Sequence, residues 1–429
     1  MIKRPATILA LLTALNFLNY IDRYVLSAVL PKVQESLALS DKVSGFLGTI
    51  FLLGYFVTSP IFGTLADRGG RRGLIAFGIV VWSLATVGSG LAHSAGSLIA
   101  ARALVGVGEA SYATIAPTII DDIAPADKRT RWLAIFYAAT PIGSAIGFLV
   151  GGFIEVHYDW RMAFFVAGGP GLVLAFLCLA IQEPARQLHH AKPNIAESFK
   201  VLSKVPLYRK GVLGYCAATF AVGGFAFWAP TYIYRRFDLP LDKANFFFGL
   251  LTVAGGALGT FVGGSMGDRM AKKRVAELGP SATDDDRDRA YVVANLWVCF
   301  FSSLWAAPFA VACFLAPTPA IFFACIFACE AGLFLSTSPV NAVVLRSVPP
   351  GLRAGAMALS IFAIHLLGDL WSPPLVGSIA DSLKERFVAS MPEKAALAQA
   401  SQIAMMLLPV ALAVSAALWF RKSKGGTPG

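Results

Sequence analysis

The sequence predicts an all-α membrane protein with twelve transmembrane helices arranged as two pseudo-symmetric six-helix bundles. Three observations predict it. Of 429 residues, 56% are hydrophobic and only 14% charged, with a mean hydropathy of +0.66, whereas an ordinary soluble domain is about 25% charged. Apolar runs of roughly the 20 residues needed to cross a bilayer recur from one end of the chain to the other. A ten-residue pattern also occurs twice, as "GTLADRGGRR" at 63–72 and "GSMGDRMAKK" at 264–273, each after an even-numbered run. The predicted spans are 6–30, 42–66, 73–92, 97–122, 131–155 and 162–182, then 208–234, 243–268, 289–315, 319–344, 354–380 and 399–420. The bundles therefore occupy 1–182 and 208–429, joined by a cytoplasmic linker, 183–207, that carries Pro184, Pro193 and Pro206.

The net charge of +11 is a matter of topology. With both termini placed inside, 25 of the 36 Lys and Arg fall on cytoplasmic segments and nine on outer ones. That asymmetry follows the positive-inside rule and sets the orientation, and it leaves no basic surface to assign to nucleic acid. The absence of any Asn-x-Ser/Thr sequon favours a bacterial inner membrane over the secretory pathway.

The first span is the most informative. In "NFLNYIDRYVLSAVLP" (16–31), Asp22 and Arg23 stand side by side where an ionised group costs at least a few kcal/mol. Neighbours on a helix point about 100° apart, so each needs a separate partner. The fourth span supplies candidates in "RALVGVGEA" (102–110). Arg102 and Glu109 are seven apart, near one face and about 10 Å from each other along the axis. Side chains tilt toward their own helix N-terminus, and the two spans run oppositely. Arg23 and Glu109 thus lean toward each other, while Asp22 is left for Arg102 or a central cavity. The interior charges, the length and the lack of a small-residue cleavage site argue against a signal peptide.

The fifth span, with Pro141, Gly143, Gly147, Gly151 and Gly152 in "PIGSAIGFLVGG", reads as close packing of helices through small residues. The loop 269–288, with "DDDRDR", is the other sizeable polar segment after the linker. The second half contributes an intramembrane polar set of Glu330, His365 and Asp369, the last two four apart on one helical face. Pro373 and Pro374 should weaken the helix just beyond them. All six cysteines lie within predicted spans, which excludes a disulfide framework. No metal cluster, nucleophile motif or nucleotide loop points to an enzyme, and no cofactor is implied.

Six spans, a linker, six more spans and one loop motif in both halves resemble the major facilitator superfamily. The resemblance implies a secondary transporter working by alternating access, as a monomer. The repeated motif then reads as a conformational latch of Asp67, Arg68 and Arg72 in one half and Asp268 and Arg269 in the other. Asp67 would face the start of the eleventh span near Arg353, and Asp268 the fifth span near Arg131. These contacts would hold the cytoplasmic side shut and favour an outward-open state. The Arg102 pattern resembles a superfamily motif associated with proton coupling. "NYIDRYVLSAVLP" is similar both to organic-anion symporters and to Spinster proteins. "HLLGDLWSPPLVGSIAD" (365–381), "PPGLRAGAMA" (349–358) and "GVGEASYATIAPTIIDD" (106–122) resemble the Spinster pattern.

The Spinster resemblance implies a proton-coupled carrier of a lipid-like or amphipathic anion of the sphingolipid or lysophospholipid type. Asp22, Arg23, Arg102 and Glu109 would carry proton coupling and substrate. A proton-coupled organic-acid or sugar-acid symporter and a non-transporting membrane sensor are the competing expectations. A sensor would be expected to bring a signalling tail, and the residues after Phe420 are only "RKSKGGTPG".

Overall fold

In the computed structural model, residues 2–125, 128–182 and 195–420 are described. Of the linker 183–207, residues 183–194 lie outside the described residues, as does the terminal segment 421–429. The described chain is almost entirely helical: α1 (Pro5–Leu37), α2 (Asp41–Arg68), α3 (Arg71–Gly90), α4 (Ala95–Ile123), α5 (Arg129–His157), α6 (Trp160–Leu179), α7 (Ile195–Leu202), α8 (Pro206–Phe237), α9 (Leu241–Glu277) and α10 (Asp284–Leu315). Then follow α11 (Pro319–Phe334), α12 (Thr337–Arg346), α13 (Arg353–Ile364), a π-helical turn (His365–Asp369), α14 (Ser372–Val388), α15 (Glu393–Met405) and α16 (Leu407–Trp419). The pairs α11–α12, α13–α14 and α15–α16 each make one interrupted span.

Eleven helical segments among the described residues are long and apolar enough to cross a membrane. The twelfth helix, α1, has the length, with 33 residues, but Asn16, Asn19, Asp22 and Arg23 lower its mean hydropathy. Asn16, Asn19 and Asp22 are all buried in the protein, so the polar side of α1 faces other helices.

Local chemistry sets the ends of the elements. Ser40 caps α2 by accepting from the Val43 amide, Ser94 and Ser97 form a capping box at α4, and Thr283 and Asp286 form another at α10. The turn between α2 and α3 is Gly69–Gly70, with φ of 113° and 73°, a conformation that side chains resist. Most of the repeated motif is therefore helical. In the second copy α9 runs on through Glu277, because 269–277 contains neither Gly nor Pro, and it stops only at Gly279 (φ 77°). The expected polar loop 269–288 is thus reduced to 278–283, with the acidic run opening α10. Acidic residues in a first turn complement the positive end of the helix.

The eleventh span breaks just before its prolines. Pro373 and Pro374 cannot donate to the carbonyls four residues back, and they sit in the first turn of α14, where a missing N–H is tolerated. The hydrogen-bond pattern shifts upstream. The Leu370 amide bonds to the His365 carbonyl at 3.1 Å, and Ser372 Oγ donates to the Asp369 carbonyl at 3.5 Å.

The helices group into two compact units by contact. One holds the first six spans together with Ala226–Leu250 and Pro373–Ser401, and the other centres on Leu251–Ser372. In the first, α1 packs on α5, α2 on α4, and α3 on α4 and α6. Its core includes Leu12, Leu15, Phe51, Ile79, Trp82, Tyr112, Ile115 and Phe136. The second has apolar clusters around Tyr208, Val344 and Ile364 and around Val292, Leu296 and Trp419.

Candidate functional site

Small residues bring α4 into contact with its neighbours. A Cβ at Gly106 would collide with the Phe51 carbonyl of α2, and one at Gly108 would meet the Gly78 carbonyl and the Trp82 amide of α3. Gly143 and Gly147 of α5 likewise abut Phe17 and Ile21 of α1. The glycines of "RALVGVGEA" thus set the distances at which Arg102 and Glu109 meet charges from other helices.

Within the first unit, α1 and α4 form two ion pairs. Arg23 Nε donates to Glu109 Oε2 at 2.8 Å, and Arg102 Nη1 lies 3.7 Å from Asp22 Oδ1. The pairs are not equivalent. Arg23 keeps 21% of its side chain exposed, while Glu109 and Asp22 are at 0% and Arg102 at 2%. The Arg102–Asp22 separation is too long for a hydrogen bond. Among the described residues, Asp22 Oδ1, Arg102 Nε and Nη1, and Glu109 Oε1 are buried without a hydrogen-bond partner. Asp22 is held instead through its other oxygen, to which Thr86 Oγ1 of α3 donates at 2.5 Å.

Aromatic rings complete the arrangement. The Arg23 guanidinium lies 5.0 Å from the Tyr20 ring centroid, 5.1 Å from Phe51 and 5.4 Å from Tyr55. Arg102 stands 5.2 Å from the same Phe51. One ring therefore touches both cations, and its π face attracts each of them. Thr86, Phe51, Tyr20 and Tyr55 were not singled out from the sequence. The i, i+4 spacing of Phe51 and Tyr55 is a weak signal, and a lone threonine within an apolar run gives none.

Chemically this is a balanced set of two cations and two carboxylates, sealed apart from Arg23. A proton arriving at Glu109 would release the Arg23 guanidinium, and an anion on Arg23 would release Glu109.

A family model of the Major Facilitator Superfamily matches residues 12–373. Protein spinster homolog 1 of Bos taurus is 35% identical over 406 residues, 88% of this chain and 74% of its own length. The homolog of the same name in Homo sapiens is 34% identical over 414 residues, 90% of this chain and 75% of its own. The chain belongs to the Spinster family of the major facilitator superfamily. It is a transporter and not an enzyme, with a small-molecule substrate and an integral membrane location.

The chain also superposes on the crystal structure of a bacterial homolog to the human lysosomal transporter Spinster, in an inward-facing and unoccupied conformation. That match has a TM-score of 0.83 at 23% identity, covering 97% of this chain and 96% of the other. A D-xylose–proton symporter superposes with a TM-score of 0.68 at 17% identity, covering 94% and 96%. Both likenesses speak to the fold.

The remaining predicted residues fall into separate groups. His365 Nδ1 lies 3.0 and 2.9 Å from the two Asp369 oxygens, and both residues belong to the π-helical turn. Glu330 is buried on α11 with its Cβ against Gly255 of α9, and no hydrogen bond or ion pair reaches it among the described residues. In the repeated motif, Arg72 Nη1 donates to the Ile181 carbonyl at 3.3 Å, and Asp268 accepts from Tyr291 at 3.1 Å. Arg68 and Arg269 are exposed and Asp67 is half-buried. Arg71, the remaining basic residue of the first copy, makes a buried pair with Asp122 at 2.6 Å.

Proposed function

We propose that the chain is a proton-coupled secondary transporter of a lipid-like, amphipathic anion of the sphingolipid or lysophospholipid type. The single observation carrying the reading is the Arg23–Glu109 pair, in which a fully buried carboxylate holds a guanidinium that still reaches accessible space. Once Glu109 is protonated, Arg23 is free for an anionic headgroup, so the Glu109 carboxylate and the substrate compete for one cation and the proton favours the substrate. Asp22, Arg102 and Thr86 hold the first span in register beside that exchange. The tyrosine and phenylalanine rings around Arg23 favour a ligand that is partly apolar over a fully hydrated one. The kinship with spinster homologs supports the transport part of this reading.

In this reading the bundles 1–182 and 208–429, joined by the linker 183–207, work by alternating access in a bacterial inner membrane with both termini cytoplasmic, as a monomer. Asp67, Arg68, Arg72, Asp268 and Arg269 form the cytoplasmic latch. Glu330, His365 and Asp369 supply polar contacts or help proton transfer in the second half.

The test is transport into proteoliposomes. A lysophospholipid or sphingosine-phosphate analogue should move faster than a short dicarboxylate or a hexuronate. The reverse order would establish the organic-acid or sugar-acid symporter, and binding without movement would establish a sensor.

A further inference from the structure

The motif "SPPLVGSIAD" (372–381) has a part in the eleventh span that the charge network does not explain. Pro373, Gly377 and Asp381 recur every four residues, so they lie near one face of α14. On α2 the matching positions are Asp41 and Gly45. The two helices touch backbone to backbone there. A Cβ at Gly377 would collide with the Asp41 carbonyl, and one at Gly45 with the carbonyl of Pro373.

The motif ends on a carboxylate aimed at a helix start. Asp381 Oδ1 accepts from the Asp41 amide at 2.9 Å, and Oδ2 accepts from the Lys42 amide at 2.8 Å. These are the first amides of α2, which have no acceptor inside their own helix. The positive end of the helix adds to the attraction.

A second layer of contacts covers the first. Arg235, near the end of α8, grips Asp41 with both terminal nitrogens, Nη1 to Oδ2 at 2.8 Å and Nη2 to Oδ1 at 2.7 Å. Its Nη2 also donates to Gln34 Oε1 at 2.8 Å, and its Nη1 to Ser401 Oγ at 3.0 Å. Gln34 Nε2 in turn donates to Asp41 Oδ1 at 2.7 Å and to Ser44 Oγ at 2.8 Å. Asp41 is 3% exposed and Arg235 10%. This is a buried, bidentate and well-satisfied pair, the strong form of an ion pair. It joins the α1–α2 corner of one half of the sequence to α8, α14 and α15 of the other, all within the first compact unit.

The same groups are within reach of water. Gln34, Asp41, Arg235 and Asp381 line a cavity of about 1200 Å³, together with exposed Glu35, Ser40 and Lys42. If the clasp parted, solvent would rehydrate every polar group in it, and Ser40 would still cap α2 through the Val43 amide at 3.3 Å. A contact that holds firmly yet leaves nothing stranded when broken is suited to a gate.

We propose that Asp41, Arg235 and Asp381 form an outer clasp whose making and breaking opens and closes the outer side during transport. Arg235 and Asp381 are its positioning residues, and the terminal Asp of the motif is there to hold the start of α2. The proposal rests on the chain being a transporter and not on the identity of its substrate.

The test needs no substrate, so its failure is separate from any failure of the lipid reading. Spin labels are placed at exposed His93 and Ser390, with the six native cysteines replaced by alanine, and their separation is measured in detergent and in nanodiscs. Arg235→Gln and Asp381→Asn should each move the distribution to distances longer by several ångströms. The conservative Asp381→Glu should stay near the parent, and the charge swap Asp41→Arg with Arg235→Asp should shift back toward it. Unchanged distributions in folded Arg235→Gln and Asp381→Asn would overturn the clasp. So would a swap that lies no closer to the parent than either of its single substitutions.

Discussion

Arg23 and Glu109 make a 2.8 Å ion pair from opposite sides of the solvent boundary, one 21% exposed and the other fully enclosed. A symmetric buried bridge would resist exchange, because removing either partner strands a charge. Here only Glu109 is stranded when Arg23 leaves, and a proton can neutralise it. Arg23 should bind anions directly. Arg23→Ala should weaken an anionic amphiphile by roughly ten- to a hundredfold, the worth of one hydrogen bond to a charged group. A zwitterion lacking net negative charge should lose less. Titrating both ligands against the purified variant checks this, and equal losses would remove Arg23 from headgroup recognition.

Asp22 should matter more for stability. Arg102 is 2% exposed and its nearest carboxylate is Asp22. Asp22→Asn would leave a buried guanidinium facing a neutral amide, a change of the kind that costs about 3–5 kcal/mol. Thr86→Val removes only the hydroxyl that binds Asp22 and should cost about 1–3 kcal/mol. Thermal unfolding in detergent should therefore rank Asp22→Asn below Thr86→Val, and Thr86→Val below the parent.

Phe51 touches both cations. Phe51→Leu keeps most of the buried apolar volume and removes the π face, at about 0.5–2 kcal/mol per cation. Anion affinity should change in this variant without the loss of pH dependence expected at Glu109. Parallel loss of both would mean that the ring only packs.

The proposed cytoplasmic latch predicts that Asp67→Ala and Asp268→Ala shift the population toward inward-open. Spin labels at the outer ends of the two bundles should come closer together. Unchanged distributions with surviving transport would make the repeated motif an ordinary basic, membrane-facing segment.

Orientation has its own test. Single cysteines at Asp285 and Asp159, in a cysteine-free background, should react with impermeant reagents from opposite sides of the membrane. Reaction of both from outside would overturn the proposed topology.

Much of this was legible in the sequence because membrane helices carry strong, local signals. Spans follow from length and hydropathy, and the charges at 22, 23, 102 and 109 stand out against an apolar background. The polar stretch after Asp268 is mostly helical although its charge suggests a loop. Lys, Arg, Glu and Ala favour helix, and only Gly279 and Pro280 interrupt it. Thr86 and Phe51 were missed for the opposite reason. Their residue types are common in any span, and only the packing of α2 and α3 on α4 gives them partners. The contacts of Asp381 and Arg235 with Asp41 were likewise out of reach, since they join positions more than 190 apart in sequence.

In the proposed mechanism the Glu109 carboxylate and an anionic substrate exclude each other from Arg23, so a proton on Glu109 favours anion binding. The most direct measurement is the pH profile of substrate transport in proteoliposomes, for the parent and for Glu109→Gln, which mimics the protonated carboxyl at every pH. Glu109→Gln should still bind the anionic amphiphile, and its transport should no longer vary with pH. A Glu109→Gln protein that transports with the parent's pH dependence would contradict that mechanism and move the coupling site elsewhere, with Asp22 the next residue to test.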